Sequence, residues 1–323
     1  MDSAVIQVRE AIRSAGIPPP DPVVFDNNIH RFPTNGKPSD DAGWYILFDS
    51  NVPGGSFGDW RTGFKTNWRA DIGRPLTSQE KAAYRKRMES ARRKREDEKF
   101  KRQKEAAIKA RAIWKSARPT PGNHPYLVRK SIKANGAKLH KDALVLPVID
   151  FTGKLTSLQF IDAEGLKRLL TGGRKCGCVI PIFYTQNAHN SKNPVRRGIS
   201  AYCANIAYRG SKSSEPSRVI ICEGWATGCT LAEDEPASLV LAAIDAGNLK
   251  PAALAARRRW PSAELVIAGD DDRLTPGNPG ATKAKAAAVA AGALLALPNW
   301  PPAAPESLSD YNDLVVWLEG GAV

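Results

Sequence analysis

The spacing of apolar and polar positions divides the chain into four segments: 1–72, 73–118, 119–216 and 217–323. The first opens with an amphipathic helix in MDSAVIQVREAIRSAG and continues in short strands, of which Trp44–Phe48 (WYILF) is the plainest. VPGGSFGDWRTG is dense in glycine and aromatics, and with Gly54, Gly55, Gly58 and Gly63 it reads as turn and strand-edge chemistry. A small β-rich domain is the simplest account. Its aromatics read as core, with base stacking as the alternative. The second segment is one long polar helix over about Thr77–Arg118. It is N-capped at Thr77 or Ser78 and stopped by Pro119, Pro121 and Gly122. Its apolar residues are too few for a continuous buried stripe.

The third segment predicts two strands, LVLPVID (Leu144–Asp150) and KLTSLQFID (Lys154–Asp162), joined by a turn at Thr152 and Gly153. GLKRLLTGGRKCGC then sets Lys167, Arg168, Arg174 and Lys175 around the flexible pair Gly172–Gly173. Cations beside glycine can approach a phosphate backbone closely. In the fourth segment strands alternate with helices. RVIICEG is a buried strand, Trp225–Asp234 a helix, SLVLAAID (Ser238–Asp245) a strand and Asn248–Trp260 a helix bearing Arg257, Arg258 and Arg259. ELVIAGDDD (Glu264–Asp272) is a third strand, followed by an alanine-rich helix over Thr282–Ala293. That alternation predicts an α/β fold, a mostly parallel sheet flanked by helices on both faces.

Composition narrows the class. Apolar residues make up 42% of the 323, enough for a real core. The net charge is +14, which favours a polyanionic partner. Much of it comes from the long helix: between Gln79 and Ser116 stand 15 Lys or Arg against 6 Asp or Glu, a net +9. That arm is either a solvated spacer or a phosphate contact. No apolar run reaches the length of a bilayer span and the N-terminus has no signal-peptide core, so a cytoplasmic protein without membrane contact is expected. The five cysteines, Cys176, Cys178, Cys203, Cys222 and Cys229, lack paired knuckle spacing and are odd in number. They read as reduced structural thiols rather than a zinc ribbon or disulfide framework. GSKS at 210–213 lacks the upstream glycine of a P-loop, so no ATPase motor is expected.

The candidate chemistry is acidic. In open α/β sheets ligands gather at the carboxyl ends of the strands. Glu223 and the Asp270–Asp272 run fall at two such ends. An acid ending a buried strand is costly without a partner, and Gly224 beside it permits a sharp turn and leaves room for a ligand. Asp270 and Asp272, two apart, point the same way and can share a hard cation such as Mg²⁺. Asp310 and Asp313 in SDYNDL could complete the set. Taken singly, any of them reads more readily as a helix N-cap or a surface charge; as a group at three strand or loop ends of a basic chain they do not.

RVIICEGWATGCTL, ELVIAGDDDRLTPGNPG and SDYNDL, in that order, resemble the Toprim domain shared by DnaG-type primases, topoisomerases and some nucleases. HPYLVRKSI, LVLPVIDFTGKLTSLQFID, GLKRLLTGGRKCG and the N-terminal IHRFPTNGKPSDDAGWYILFDS and GSFGDWRTG resemble primases of plasmids, satellite phages and other mobile elements. The resemblance implies a small N-terminal domain (1–72), a basic helical arm (73–118), an α+β primase subdomain for template and nucleotide (119–216) and a Toprim catalytic domain (217–323). It implies metal ligation by Glu223, Asp270, Asp272 and Asp310, with catalysis by the first three. Asp313 is a weaker match. Lys167, Arg168, Arg174 and Lys175 meet template or nucleotide. The implied cofactor is Mg²⁺ or Mn²⁺. The implied partners are single-stranded DNA, NTPs, and a replicative helicase or a helicase domain fused in a longer protein. The implied activity is primer synthesis on DNA by nucleotidyl transfer. The same acids would also serve a Toprim nuclease, and a non-catalytic DNA-binding replication-initiation module is a third reading. A topoisomerase fits less well, since no tyrosine-bearing companion domain is suggested.

Overall fold

The computed structural model describes residues 2–38, 40–59, 61–182 and 216–320. Cys203, the GSKS stretch and the rest of 183–215 lie outside the described residues. The chain divides into two compact units, Met1–Lys99 and Phe100–Val323, and the division falls within one helix.

In the first unit helix α1 (Asp2–Ser14) precedes an antiparallel meander of β1 (Asp26–Phe32), β2 (Gly43–Phe48), β3 (Gly54–Asp59) and β4 (Phe64–Arg69). Val8 and Ile12 on one face of α1 pack with Tyr45, Leu47, Phe57 and Trp68 in its core. The glycine-rich stretch is therefore a turn only at its end, where Gly63 takes a φ of +75°, and Gly54, Gly55 and Gly58 do not lie on a sheet edge. β3 is an inner strand, paired with β2 and β4. Close backbone approach explains its glycines: a Cβ on Gly55 would lie 2.0 Å from the Ile46 carbonyl oxygen, and one on Gly58 2.2 Å from that of Phe64. Of the aromatics in that stretch Phe57 serves this core, as expected, and Trp60 lies outside the described residues.

The long helix, α2 (Ser78–Ser116), begins with a reciprocal cap: Glu80 N–H donates to Thr77 Oγ1 and Thr77 N–H to Glu80 Oε2. Its end differs from the expectation of a wholly solvated rod. Ala106, Ala107, Ala110 and Trp114 are buried, with Ala110 and Trp114 in the main core of the second unit. Small residues repeated one helical turn apart made a narrow contact stripe that a count of large apolar residues overlooks.

In the second unit β5 (Arg118–Pro119), β6 (Lys138–His140), β7 (Ala143–Ile149), β8 (Leu155–Ile161) and β9 (Lys167–Leu169) form an antiparallel meander. Helix α3 (Pro125–Arg129) precedes β6. The other sheet has the order β10 (Ile180–Pro181), β12 (Leu239–Ala242), β11 (Arg218–Cys222), β13 (Glu264–Ala268), β14 (Leu294–Ala296). β12, β11, β13 and β14 are parallel, and β10 runs antiparallel at the edge. Paired backbone bonds between Ile149 and Val179, each 2.9 Å, join the two sheets.

Side-chain alternation sorts the helices onto opposite faces. Val219 and Ile221 of β11 point into a core with α5 (Ala246–Arg259) and α6 (Pro279–Ala291). Ile220 and Cys222 point the other way, towards α4 (Trp225–Asp234) and α7 (Tyr311–Leu318). Each fully buried side chain of Val, Leu or Ile size contributes about 1.5–3 kcal/mol, and the sheet carries these on both faces. The result is the expected α/β fold, Toprim-like and flanked by helices. Cys178, Cys222 and Cys229 are buried free thiols and Cys176 is an exposed one. No described helix is long and apolar enough to cross a membrane.

The arginine cluster on α5 proves to be partly structural. Arg257 donates to the carbonyls of Pro261, Ala263, Ala291 and Gly292 at 2.8–3.0 Å, tying the end of α6 to the loop before β13. We expect Arg257→Ala to destabilise the fold by roughly 1–3 kcal/mol, read as a fall in melting temperature. Lys at this position should restore little of it, because an ammonium cannot reproduce the planar fork.

Candidate active site

The acids are carried to one edge by the parallel strands. Glu223 directly follows β11, Asp270 to Asp272 follow β13, Asp245 follows β12, and Asp310 is the N-cap of α7. Asp245 is a residue the sequence reading missed. It ends a predicted strand just as Glu223 does, so the same rule could have found it. Its Oδ2 accepts from Lys175 Nζ at 2.5 Å, and its charge reaches Glu223.

Each carboxylate has a distinct environment. Asp271 turns away from its neighbours, accepting from Asn278 Nδ2 at 2.6 Å and from Trp300 Nε1 at 2.8 Å. β13 ends at Ala268, so the strand's two-residue repeat does not reach these acids, yet the charge of Asp272 still acts on Asp270. Asp272 Oδ2 accepts from Gly280 N–H at 2.8 Å at the start of α6. Gly280 must be bare, since a Cβ there would lie 2.7 Å from the Asp270 carbonyl oxygen and 2.9 Å from Asp272 Oδ2. Asp310 Oδ1 accepts from Asp313 N–H at 2.9 Å and Oδ2 from Thr227 Oγ1 at 3.1 Å. The capping role is thus real for Asp310, while Asp272 accepts from the first turn of α6, whose N-cap is Asn278. Asp313 serves a different purpose. It is buried, accepts from Lys130 Nζ at 2.8 Å and from Ser309 N–H at 3.2 Å, and so ties α7 to the end of α3. Asn312 supports the same junction by donating to the Lys130 carbonyl at 2.8 Å.

Asp270 is the exception. Its Oδ1 is buried with no hydrogen-bond partner. Burial, then the charges of Glu223, Asp310 and Asp272, push its carboxyl up to about 8, and Lys167 opposes them. Glu223 is also raised, mainly by burial and further by Asp272 and Asp245, while the Ala246 backbone and Lys167 pull it down. Glu223, Asp270, Asp272 and Asp310 therefore share one electrostatic field. Among the described residues no three His, Cys, Asp or Glu are drawn together as tightly as a metal cluster. An all-carboxylate set with one orphaned buried oxygen still fits a hard cation, which takes oxygen ligands and would satisfy that atom.

Of the four candidate cations, Lys167 reaches the acids. It lies on β9, and a Cβ on Gly224 would sit 3.6 Å from its Nζ. The chain bends at Glu223 and Gly224, as expected, but Gly224 does so with an extended backbone (φ −100°) that any residue could adopt, so what it adds is open space. Lys175 meets the same edge through Asp245. Arg174 pairs with Asp150 at 2.5 Å, and Arg168 stands exposed at 3.6 Å from Asp162. The Gly172–Gly173 pair is not a flexible joint. Gly172 takes a left-handed φ of +80°, and a Cβ on Gly173 would fall 2.0 Å from Ser157 Oγ. These glycines let the loop lie flat on β8.

The raised Asp270 carboxyl carries a stability consequence. Below about pH 4 it is neutral folded or unfolded and costs nothing. As the pH rises towards 8, ionisation is easier unfolded than folded, so the folded state loses stability. In metal-free protein Asp270→Asn should therefore melt higher than wild type at pH 7–8, by on the order of a few kcal/mol, with the gap closing towards pH 4. Equal melting curves across that range would show the carboxylate is not held at such a cost.

Residues 218–319 match the Toprim domain family. Two Escherichia coli proteins, both DNA primase TraC, are each 31% identical to the chain over 91% of its length, by alignments of 307 and 304 residues. The chain spans 19% and 26% of the length of these curated relatives. A solved structure of the bacteriophage T7 lagging-strand DNA polymerase interacting with primase domains of two gp4 subunits bound to an RNA/DNA hybrid and dTTP aligns over 60% of this chain and 84% of that one. The identity there is 14% and the TM-score 0.39. The edge that gathers Glu223, Asp270, Asp272 and Asp310 thus lies within the residues that match the Toprim domain family, in a chain whose sequence is similar over nearly all its length to DNA primase TraC.

Proposed function

We propose that the chain is a primase core, joining ribonucleotides on a single-stranded DNA template. The observation that carries this reading is the shared acidic edge, with its orphaned Asp270 oxygen and with Lys167 facing it. The similarity to DNA primase TraC supports it along most of the sequence. In the reaction, the 3′-hydroxyl of one nucleotide attacks the α-phosphate of an incoming NTP and pyrophosphate leaves.

Glu223, Asp270, Asp272 and Asp310 would hold Mg²⁺ or Mn²⁺. When bound, the ion supplies Lewis-acid stabilisation to the attacking hydroxyl, the α-phosphate and the leaving group. The protein's own part is positioning and electrostatics. Hydrogen bonds from helix first turns fix Asp272 and Asp310 in orientation. Glu223, with its proton affinity raised by burial, is suited to receive the proton of the attacking hydroxyl. Lys167 offsets the negative field and can meet phosphate oxygens. Lys175 and Arg174 extend positive charge along the same loop, with Arg168 on its exposed side. A DNA template and NTPs are the expected ligands, and a helicase, separate or fused, the expected partner.

The test is incubation with varied single-stranded templates, labelled NTPs and Mg²⁺ or Mn²⁺, with products resolved by length. Short RNA dependent on template is expected. DNA nicked without NTPs would replace this reading with the nuclease. Asp270→Asn and Asp272→Asn should each abolish synthesis while the fold persists by circular dichroism, and activity retained in both would remove them from the mechanism. Lys167→Gln should raise the NTP or template concentration for half-maximal synthesis about fivefold or more, the loss of one charge-assisted contact of ~1 kcal/mol.

A further inference from the structure

Away from the acidic edge, the second unit carries a groove of about 470 Å³ between the buried end of α2 and the β7–β8 hairpin. That volume is within the ~300–1,000 Å³ of small-ligand pockets, though the groove is open along its length. Its helical wall exposes Phe100 at 60% and Ile108 at 64%, large apolar surfaces for a helix so rich in charge. Cations interleave with them. Lys104 Nζ stands 4.8 Å from the Phe100 ring centre, Arg111 lies one turn beyond Ala107, and Lys154 and Arg174 come from the opposite wall. Asp150 is the one acid in the lining, and it is already paired with Arg174.

We propose that this groove is a binding subsite for single-stranded nucleic acid, with an unpaired base against Phe100 and Ile108 and backbone phosphates on Lys104, Arg111 and Lys154. The chemistry selects that occupant in two steps. With Arg174 and Asp150 cancelling each other, the three remaining cations, Lys104, Arg111 and Lys154, call for a polyanion, which an acidic or apolar protein segment satisfies less well than a phosphate chain. An exposed aromatic face offers nothing to a closed duplex, whose bases are stacked inside, but gives an unpaired base a stacking surface. The tilt of the side chains is favourable: on a helix Phe100, Lys104 and Ile108 succeed one another at i, i+4, i+8 along one face.

The groove also connects with the rest of the unit. The loop between β9 and β10 lends Arg174 to the groove, while Lys167 on β9 faces the acids. The same loop rests on α2, since a Cβ on Gly172 would lie 3.5 Å from the Arg102 carbonyl oxygen and 3.7 Å from Ala106 Cβ. One strand of nucleic acid could therefore follow a single polypeptide loop from the groove towards the acidic edge. This location rests on the proposed function only for its identity as template. The affinity of the groove for a single strand stands without catalysis.

The experiment uses the full chain and a fluorescent oligothymidylate, titrated by anisotropy without NTPs at several salt concentrations. Phe100→Ala should weaken binding on the order of fivefold to a hundredfold, the range for loss of one base stack. The double variant Lys104→Gln with Lys154→Gln should flatten the slope of log affinity against log salt by roughly 1.4, at ~0.7 per phosphate contact on a single strand. A duplex of the same length should be insensitive to Phe100→Ala. As a positional check, an oligonucleotide carrying photoreactive thymidine analogues should crosslink to the peptide that contains Phe100. Unchanged affinity and salt slope in these variants, or crosslinks confined to other peptides, would overturn the proposal. Binding through the groove by a chain that makes no RNA would refute the proposed function and leave the groove standing. RNA synthesis with Phe100→Ala indistinguishable in binding would do the reverse.

Discussion

The second unit is organised around one electrostatic cost: four carboxylates crowded on the edge of a sheet, one of them with a buried and unpartnered oxygen. Left to itself that edge would repel and open. It is held because β11, β12 and β13 are buried on both faces, so the strand ends cannot separate without exposing two cores at once. The backbone that positions Asp270 is fixed from behind, by Asp271 gripping Asn278 and Trp300, and by Gly280 packed against its carbonyl. Packing energy keeps like charges together, an arrangement that suits the cation site proposed above.

The positive charge of the chain is distributed to match. Lys167 on β9 and Lys175 on the loop that follows it are brought to the acidic edge, so the two sheets meet in chemistry as well as at the Ile149–Val179 bridge. α3 is locked to α7 through Lys130, Asp313 and Asn312, which fixes the meander segment against the helix that presents Asp310. Asp313, which shares a sequence motif with Asp310, thus works as a clamp and leaves the acidic field to its neighbour.

The strands and helices of 217–323 were legible because their signals agree: buried β-branched runs, helical spacing between them, and acids at the strand ends. Helix Trp225–Asp234 carries the predicted bounds, and α5 and α6 begin two or three residues earlier than expected. What escaped the reading depended on contacts distant in sequence. β10 and β14 are too short to have a pattern of their own and exist because longer strands offer them partners. The glycines of β3 read as turn and strand-edge positions and those at 172–173 as a flexible pair, yet Gly55, Gly58 and Gly173 answer to carbonyls and a hydroxyl that only the folded chain brings near. The alanine stripe of α2 was hidden among charges. For the site, strand-end logic found Glu223, Asp270 and Asp272, while the pairing of Lys175 with Asp245 and the hydroxyl of Thr227 on Asp310 had no sequence signal.

The central claim is that the acidic edge receives a divalent cation. Titration of the full chain with Mn²⁺, followed by the loss of the free-ion electron paramagnetic resonance signal, tests it without substrate or turnover. The account predicts saturable binding that Mg²⁺ displaces, and its loss in Asp270→Asn with the fold intact. Mn²⁺ binding that is equally strong in wild type and Asp270→Asn, or absent from both, would contradict it.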